Sequence, residues 1–389
     1  MSEIEERRLF NTYQRYGIKL VRGRGARVWD TSGKEYIDFM AGFGIGILGH
    51  SYPDVVKAIE EQLESIFICH GSIYNESREK FLEELFRIVP SHLSRAFMSN
   101  SGAEANELAL KLARKYTGRK GFIAFTGSYH GKTAGALSVT YSQKYRNGFE
   151  PLLEPVKFLK YGDTRALDDA DFNEAAAVIV EPIQGESGII VPPDDFLPKL
   201  EERAHAAGSL LIVDEVQSGM GRTGKWWAHQ NWKIKPDIMT AAKGIGGGVP
   251  MGVTVATENV AQALKVGEHS STMGGNPLAS AAGAATIRAV GGLLGEVEGK
   301  GRQIMHGIGN INSPLIREVR GMGLMIAVDL KVRFRDVLLQ ALSDGLIPLY
   351  SGLTVIRFLP PYIISSSDIG DAVEIFSRSI QKIEKKMSI

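Results

Sequence analysis

Only one cysteine, Cys69, stands in a chain of 389 residues. That excludes an internal disulfide and suits a reducing compartment. There are no cysteine pairs and no His-Glu-x-x-His run, so the common zinc ligand sets are missing and no metal is expected. The net charge is only +1, which gives a nucleic acid nothing to bind on bulk electrostatics. No apolar run reads as long enough to span a bilayer. The opening stretch Met1, Ser2, Glu3, Ile4, Glu5, Glu6, Arg7, Arg8 is charged and has no apolar signal core. A cytoplasmic protein with neither a membrane nor a nucleic acid as partner is the expectation. Repeats, low-complexity tracts and obvious linkers are also missing.

What is present is ordinary globular material. Hydrophobic residues make up 44% and charged residues 23%. The length allows a large core and more than one domain. The 44 glycines cluster at strand-to-helix turns, which suits a backbone that must approach a ligand closely.

Residues 26–30 and 36–39 read as short β pieces around a turn. Apolar spacing at Val55, Val56, Ile59 and Leu63 predicts a helix over 53–66. From about 95 to 285, strand and helix patterns alternate. Strands are expected at 95–98, 121–125, 177–180, 210–213, 238–241 and 252–256, with a helix over 195–207. This predicts an α/β fold with a doubly wound, mostly parallel sheet. Beyond 285 the pattern changes to strands at 316–320, 323–330 and 354–360 and a helix near 334–344. The expected division is a large domain over 46–284 and a smaller α+β domain made from 1–45 and 285–389.

Two apolar runs without alternation, as in a sheet covered on both faces, end on charge. Leu210, Leu211, Ile212 and Val213 stop at Asp214. Ile238, Met239, Thr240, Ala241 and Ala242 stop at Lys243, in a glycine-rich turn. Chemistry in such sheets gathers beyond the carboxyl ends of the strands. A lysine for a Schiff base and an acid for a pyridinium nitrogen are the two groups that pyridoxal phosphate chemistry needs. Each residue alone also fits a helix cap or a surface charge.

Further groups follow other strands. Ser99, Asn100, Ser101, Gly102, Ala103 and Glu104 open a helix, which reads either as a phosphate site or as an ordinary cap. Tyr129 could stack on a planar cofactor and Lys132 could meet an anion, while His130 reads as structural. Glu181 and Glu186 put carboxylates at the end of a buried strand, where charges need partners or a purpose. The run from Gly219 to Lys225 satisfies GxGxxG and most of a P-loop. However, Trp226 replaces the magnesium-binding Ser or Thr, and no long amphipathic helix follows.

These pieces, in this order, resemble the class III pyridoxal phosphate aminotransferases of the ornithine/acetylornithine type, over nearly the whole chain. The matching motifs are 100–105, 129–131, 181–186, 214–217, 242–243 and 271–277. The resemblance implies a fold-type I transferase with pyridoxal 5'-phosphate as cofactor. It makes Lys243 the Schiff-base lysine and proton shuttle, and Asp214 the partner of the pyridinium nitrogen. Gln217 would bond the ring's phenolic oxygen, and Val216 joins the cofactor-binding residues. Ser101, Gly102 and Ala103 would cradle the phosphate, and Tyr129 would stack on the ring. Thr272 would reach the phosphate of the neighbouring subunit's cofactor, which implies a homodimer with shared active sites. Arg357 would fork onto the α-carboxylate of glutamate, Glu186 would shield it when a diamine-type substrate binds, and Ser271 would sit beside the substrate.

Within the class, stretches 25–30, 320–325 and 354–361 resemble the lysine-biosynthesis aminotransferases that act on carrier-linked substrates. That implies glutamate/2-oxoglutarate and an amino-acid semialdehyde attached to a small acidic carrier protein, in lysine (and arginine) synthesis. The alternatives are an N-acetylornithine or ornithine aminotransferase, an aminomutase or racemase on the same fold, or a non-catalytic nucleotide binder built on 219–225. One departure concerns Lys132. Most of the class has arginine there for the substrate's distal carboxylate, and a lysine point charge is not equivalent to a planar fork. Arg22, Arg24, Arg27, Arg114, Lys115, Arg119 and Lys120 are candidates for a basic carrier-binding rim.

Overall fold

Asp30 builds the first tight turn by accepting hydrogen bonds from the backbone N–H of Ser32 (2.8 Å) and Lys34 (3.1 Å). Around it lie three antiparallel strands, β1 (Leu20–Arg24), β2 (Arg27–Asp30) and β3 (Glu35–Asp38). The structure is a computed structural model describing residues 3–387. Met1, Ser2, Ser388 and Ile389, at the ends of the expected small domain, lie outside the described residues.

The alternating middle of the chain forms a seven-stranded sheet. Its strands are β4 (Arg95–Ser99), β5 (Gly121–Phe125), β6 (Val156–Leu159), β7 (Ala175–Val180), β8 (Leu210–Asp214), β9 (Ile238–Ala241) and β10 (Gly252–Ala256). Their order across the sheet is β4-β10-β9-β8-β7-β5-β6. Strand β10 runs against both neighbours, and the other pairs are parallel. Every residue of β5, β7, β8 and β9 is buried, as their unalternated apolar sequences require. Strand β6 was not expected. It is a four-residue edge strand carrying Lys157, so its apolar signal is weak.

The helix Gly102–Thr117 packs on β9 and β10, and Phe196–Ala206 packs on β8. The helix predicted over 53–66 spans Pro53–Glu64, with proline in its first turn. The helix Pro277–Leu293 packs against it and against Glu76–Ile88. One expectation needs amendment. By length and composition alone, the helical stretch 277–309 could cross a membrane, with a mean hydropathy of 1.3. Half of that window is buried in the protein, and its alanines and glycines serve close helix packing.

The last third contributes β11 (Ile316–Met322), β12 (Met325–Leu330), β13 (Leu346–Ile347), β14 (Leu349–Ser351) and β15 (Val355–Phe358). Strands β11-β12-β15-β14 form one antiparallel sheet, and β13 pairs in parallel with β3, joining the two ends of the chain in another. The helices Phe334–Asp344 and Ser366–Met387 pack on each other.

The glycine loop 219–225 opens no helix and leaves no room for a phosphate. Arg222 is fully buried within it, donating to the carbonyls of Pro360 (2.6 Å), Leu324 (3.4 Å) and Gly44 (3.4 Å). A Cβ at Gly221 would come within 3.0 Å of Leu294. Side chains and carbonyls fill the space, so the loop is a packing element and the nucleotide-binder alternative loses its basis.

Candidate active site

Five strands of the large sheet hand residues to one cavity of about 620 Å³. Ser101, Gly102 and Ala103 follow β4, Tyr129 and Lys132 follow β5, and Glu181 and Glu186 follow β7. Asp214, Val216 and Gln217 close β8, and Lys243 follows β9. Ten of the residues singled out from sequence for cofactor or substrate are therefore brought together, at the carboxyl edge of the parallel strands.

Asp214 is buried and firmly held. Its Oδ2 accepts from His130 Nδ1 at 2.7 Å and from Asn106 Nδ2 at 2.8 Å, and its Oδ1 accepts from the N–H of Val216 at 3.0 Å. Asn106 also donates to the His130 carbonyl, and its Oδ1 accepts from Thr240 Oγ1, both at 2.8 Å. A carboxylate can accept about four hydrogen bonds, so Oδ1 keeps a lone pair facing the cavity. The histidine expected to be structural at 130 thus touches Asp214 directly.

Lys243 adopts a left-handed backbone conformation, φ +49°, which is uncommon and strained for a residue with a side chain. Beside it a Cβ on Gly244 would come within 2.8 Å of Ile47, so the turn must run flush against that side chain. Burial pushes the Lys243 ammonium below its ordinary range, while Glu186, Asp214 and Glu181 pull it back. Glu181 accepts from the backbone N–H groups of Tyr129 (2.9 Å) and Gly185 (3.2 Å). Burial pushes its carboxyl up to about 7, against the field of His130 and with that of Asp214.

At the other end of the cavity, Glu186 Oε1 accepts from Arg357 Nη1 at 3.0 Å. Arg357 is fully buried and also donates to the carbonyls of Gly185 (2.8 Å) and Tyr350 (3.0 and 3.2 Å). Burial favours a neutral Glu186, but Arg357, Lys243 and Lys132 outweigh it and hold the carboxyl below its usual value. Lys132 is exposed at the cavity, with Nζ 4.8 Å from the Tyr145 ring centre and 5.9 Å from that of Tyr129. The two rings meet edge to face.

The helix Gly102–Thr117 supplies the anion site. Ser101 is its N-cap, accepting from the N–H of Glu104 at 3.2 Å. Glu104 folds back to accept from Asn100 N (2.8 Å) and Nδ2 (2.9 Å), which neutralises its own dipoles rather than crowding the cavity. The N–H groups of Gly102 and Ala103 have no partner within the helix and sit at the positive end of its dipole.

Three predicted residues do not line the cavity, and Arg357 meets it only through Glu186. Thr272 is exposed and does not line the cavity. Ser271 touches it only through Asn100, whose Nδ2 donates to the serine hydroxyl at 3.2 Å. Sequence reasoning missed Asn106, Tyr145 and Tyr350. Asn106 left one signal, a lone amide among Ala105, Leu108 and Leu112 on the buried side of the helix. Of the seven residues of the expected basic rim, Arg27 and Lys115 are paired with carboxylates. Arg27 is bonded to Glu35, Asp368 and Asp371. Arg114 and Arg119 donate to main-chain carbonyls, and Lys115 pairs with Glu268. Arg22, Arg24 and Lys120 remain exposed.

The donor set fits pyridoxal phosphate. Gln217 Oε1 and His130 Nε2 are buried without partners, an acid with a spare lone pair faces the cavity, and a helix start offers free N–H groups. Aminotransferase class-III is the family that matches, over residues 11–380. The chain is 43% identical to the [LysW]-aminoadipate semialdehyde/glutamate semialdehyde transaminase of Sulfolobus acidocaldarius, covering 97% of this chain and 99% of that one. It is 44% identical to the acetylornithine aminotransferase of Methanopyrus kandleri, covering 95% and 96%. An ornithine aminotransferase from Toxoplasma gondii, solved with partial occupancy of PLP at its active site, superposes with a TM-score of 0.94 at 31% identity, covering 99% and 94%. Such enzymes use pyridoxal phosphate, and the chain belongs to the class-III aminotransferases.

Proposed function

We propose that this enzyme moves an amino group between glutamate/2-oxoglutarate and the terminal carbon of an amino-acid semialdehyde attached to a small acidic carrier protein. The favoured substrate is the carrier-linked aminoadipate semialdehyde of lysine synthesis, with the linked ornithine precursor of arginine synthesis as a second. The name of the Sulfolobus acidocaldarius relative supports both. The acetylornithine aminotransferase of Methanopyrus kandleri, at similar identity, supports an acetylated semialdehyde as the second reading.

The observation that carries the two-substrate reading is the bond between Glu186 and Arg357. A guanidinium has five N–H donors, and four of the bonds found for Arg357 use one each, leaving one on Nη2. The carbonyl partners are main chain, whereas Glu186 is a side chain that can turn. When it turns, Nη1 and Nη2 each offer an N–H to the α-carboxylate of glutamate. When it returns, the positive charge is covered and a substrate with no carboxylate at that place is accepted.

When bound, the cofactor supplies an electron sink for the carbon that loses or gains the amino group. Lys243 Nζ would hold and return the proton at that carbon, and desolvation pushes its ammonium below its ordinary range. Asp214, held by His130 and Asn106, would accept from the ring nitrogen. Gln217 would serve the phenolic oxygen, Val216 and Tyr129 would hold the ring, and Ser101, Gly102 and Ala103 would receive the phosphate. Lys132 takes the distal carboxylate and Ser271 lies beside the substrate. Exposed Thr272 completes the partner subunit's phosphate site in a cytoplasmic homodimer. Residues 46–284 form the cofactor-binding domain, with 1–45 and 285–389 as the smaller one.

The test mixes amino-loaded enzyme with carrier-linked aminoadipate semialdehyde or with N-acetylglutamate semialdehyde, following cofactor absorbance. Return of the yellow form with only the carrier-linked compound supports this reading. Return with only the acetylated one moves the enzyme to arginine metabolism.

A further inference from the structure

The segment before β1 crosses the protein with its side chains in solvent. Residues 9–15 are all exposed, with Phe10 at 90% and Tyr13 at 76%. Tyr16 breaks the pattern: it packs against the core, and its hydroxyl oxygen is buried with no hydrogen-bond partner. A buried hydroxyl without a partner is costly and is rarely left so without a reason. Its electrostatic neighbours are Tyr350, Arg357 and Glu186. Their own bonds are already made to one another: Arg357 donates to Glu186 and to the Tyr350 carbonyl, and the Ser351 hydroxyl donates to the Glu186 carbonyl. Nothing in this resting network uses the Tyr16 phenol.

We propose that Tyr16 is a substrate-positioning residue, whose phenol donates a hydrogen bond to the carboxylate of the amino-acid substrate seated on Arg357. The inference rests on the reading that Arg357 receives such a carboxylate. A carboxylate forked onto a guanidinium still has acceptor lone pairs free, and a phenol beside the fork meets one. Burial and the neighbouring Tyr350 favour the protonated phenol, so it remains a donor throughout the working pH range. The bond exists only while Glu186 is turned away, so it strengthens the glutamate half of the cycle and leaves the terminal-amine half alone. It also gives the irregular segment 9–19 a purpose in the site.

The test compares wild-type holoenzyme with Tyr16→Phe, which keeps the ring and removes only the hydroxyl. The readouts are calorimetric binding of glutarate, a dicarboxylate that cannot react, and KM and kcat for glutamate and for N-acetylornithine. Loss of one hydrogen bond to a charged group should weaken glutarate binding and raise the glutamate KM by about ten-fold. Cofactor content, thermal midpoint and the N-acetylornithine KM should not move. Unchanged glutarate binding and glutamate KM would overturn the assignment. So would equal losses in both half-reactions, which mark a loosened segment rather than a lost bond. If wild-type enzyme itself neither binds glutarate nor reacts with glutamate, the Arg357 reading fails first, and the role of Tyr16 with it.

Discussion

The carboxylate of Glu186 lies 3.0 Å from Nη1 of Arg357, and every other bond found for that guanidinium goes to a main-chain carbonyl. Glu186 is thus the one of its bonded partners that can move without unfolding the site. Glu186→Ala should leave a buried arginine charge uncovered, at a stability cost of about 3 kcal/mol. Glutamate brings a carboxylate to the same place, so its KM should fall by roughly ten-fold, one lost competitor of about 1.4 kcal/mol. The KM for the terminal-amine substrate should rise. Steady-state kinetics on both substrates, with thermal midpoints with and without glutarate, checks this. An unchanged glutamate KM would show that Glu186 does not compete for Arg357.

Lys243 is a desolvated amine opposite three carboxylates. Lys243→Ala should fold normally, because alanine meets the same left-handed backbone strain as lysine and the change removes a desolvated buried amine. It should lose covalent attachment of the cofactor and at least ~10³-fold in turnover, since both nucleophile and proton carrier go at once. Borohydride reduction followed by mass spectrometry reads the first effect. A cofactor adduct surviving on the variant would point to a different lysine.

Asp214 and Lys243 were legible because strands buried on both faces carry unbroken apolar runs, and a charge at the end of such a run stands out. The helix start at Ser101 was legible from its capping residues. Strand β6 was not, because a short edge strand needs no continuous apolar pattern. Nor were Asn106 and Tyr16, which have no spacing rule behind them. Asn106 matters through contacts to residues 24, 108 and 134 positions away. The ion pairing of Arg27 was hidden for the same reason: the carboxylates that bind it include Asp368 and Asp371, more than 340 residues distant. The glycine motif at 219–225 matched a pattern of spacing, but the loop is filled by Arg222 and by Tyr362, whose buried hydroxyl donates to the Met220 carbonyl at 3.0 Å.

Asn106 holds three partners through one amide, so Asn106→Ala should cost about 2 kcal/mol of stability, by orphaning groups around Asp214. The functional effect should exceed that of an ordinary core change, because Asp214 loses one of its two side-chain donors. Denaturant midpoints measure the first effect. Cofactor affinity, by dialysis and absorbance, measures the second. Normal cofactor affinity in a destabilised variant would confine Asn106 to packing.

Glu181 connects the site to pH. Its carboxyl has an ordinary value of 4.5 and is pushed up to about 7, burial being the largest cause. A raised acid binds its proton more tightly in the folded protein than in the unfolded chain. Its contribution to stability is therefore complete below about 4.5 and is lost as pH rises toward and through about 7. Thermal midpoints of the wild type should fall over that window from this group. Glu181→Gln cannot ionise, and its one oxygen serves only one of the N–H groups of Tyr129 and Gly185, which bond to Oε1 and Oε2 of Glu181, so the variant should be less stable throughout but the fall with pH should flatten. Other groups change charge in the same range, so the measurement is the difference between variant and wild type at each pH. Parallel curves would mean that Glu181 keeps its charge in the folded enzyme, and that His130 balances more of the burial than the shift implies.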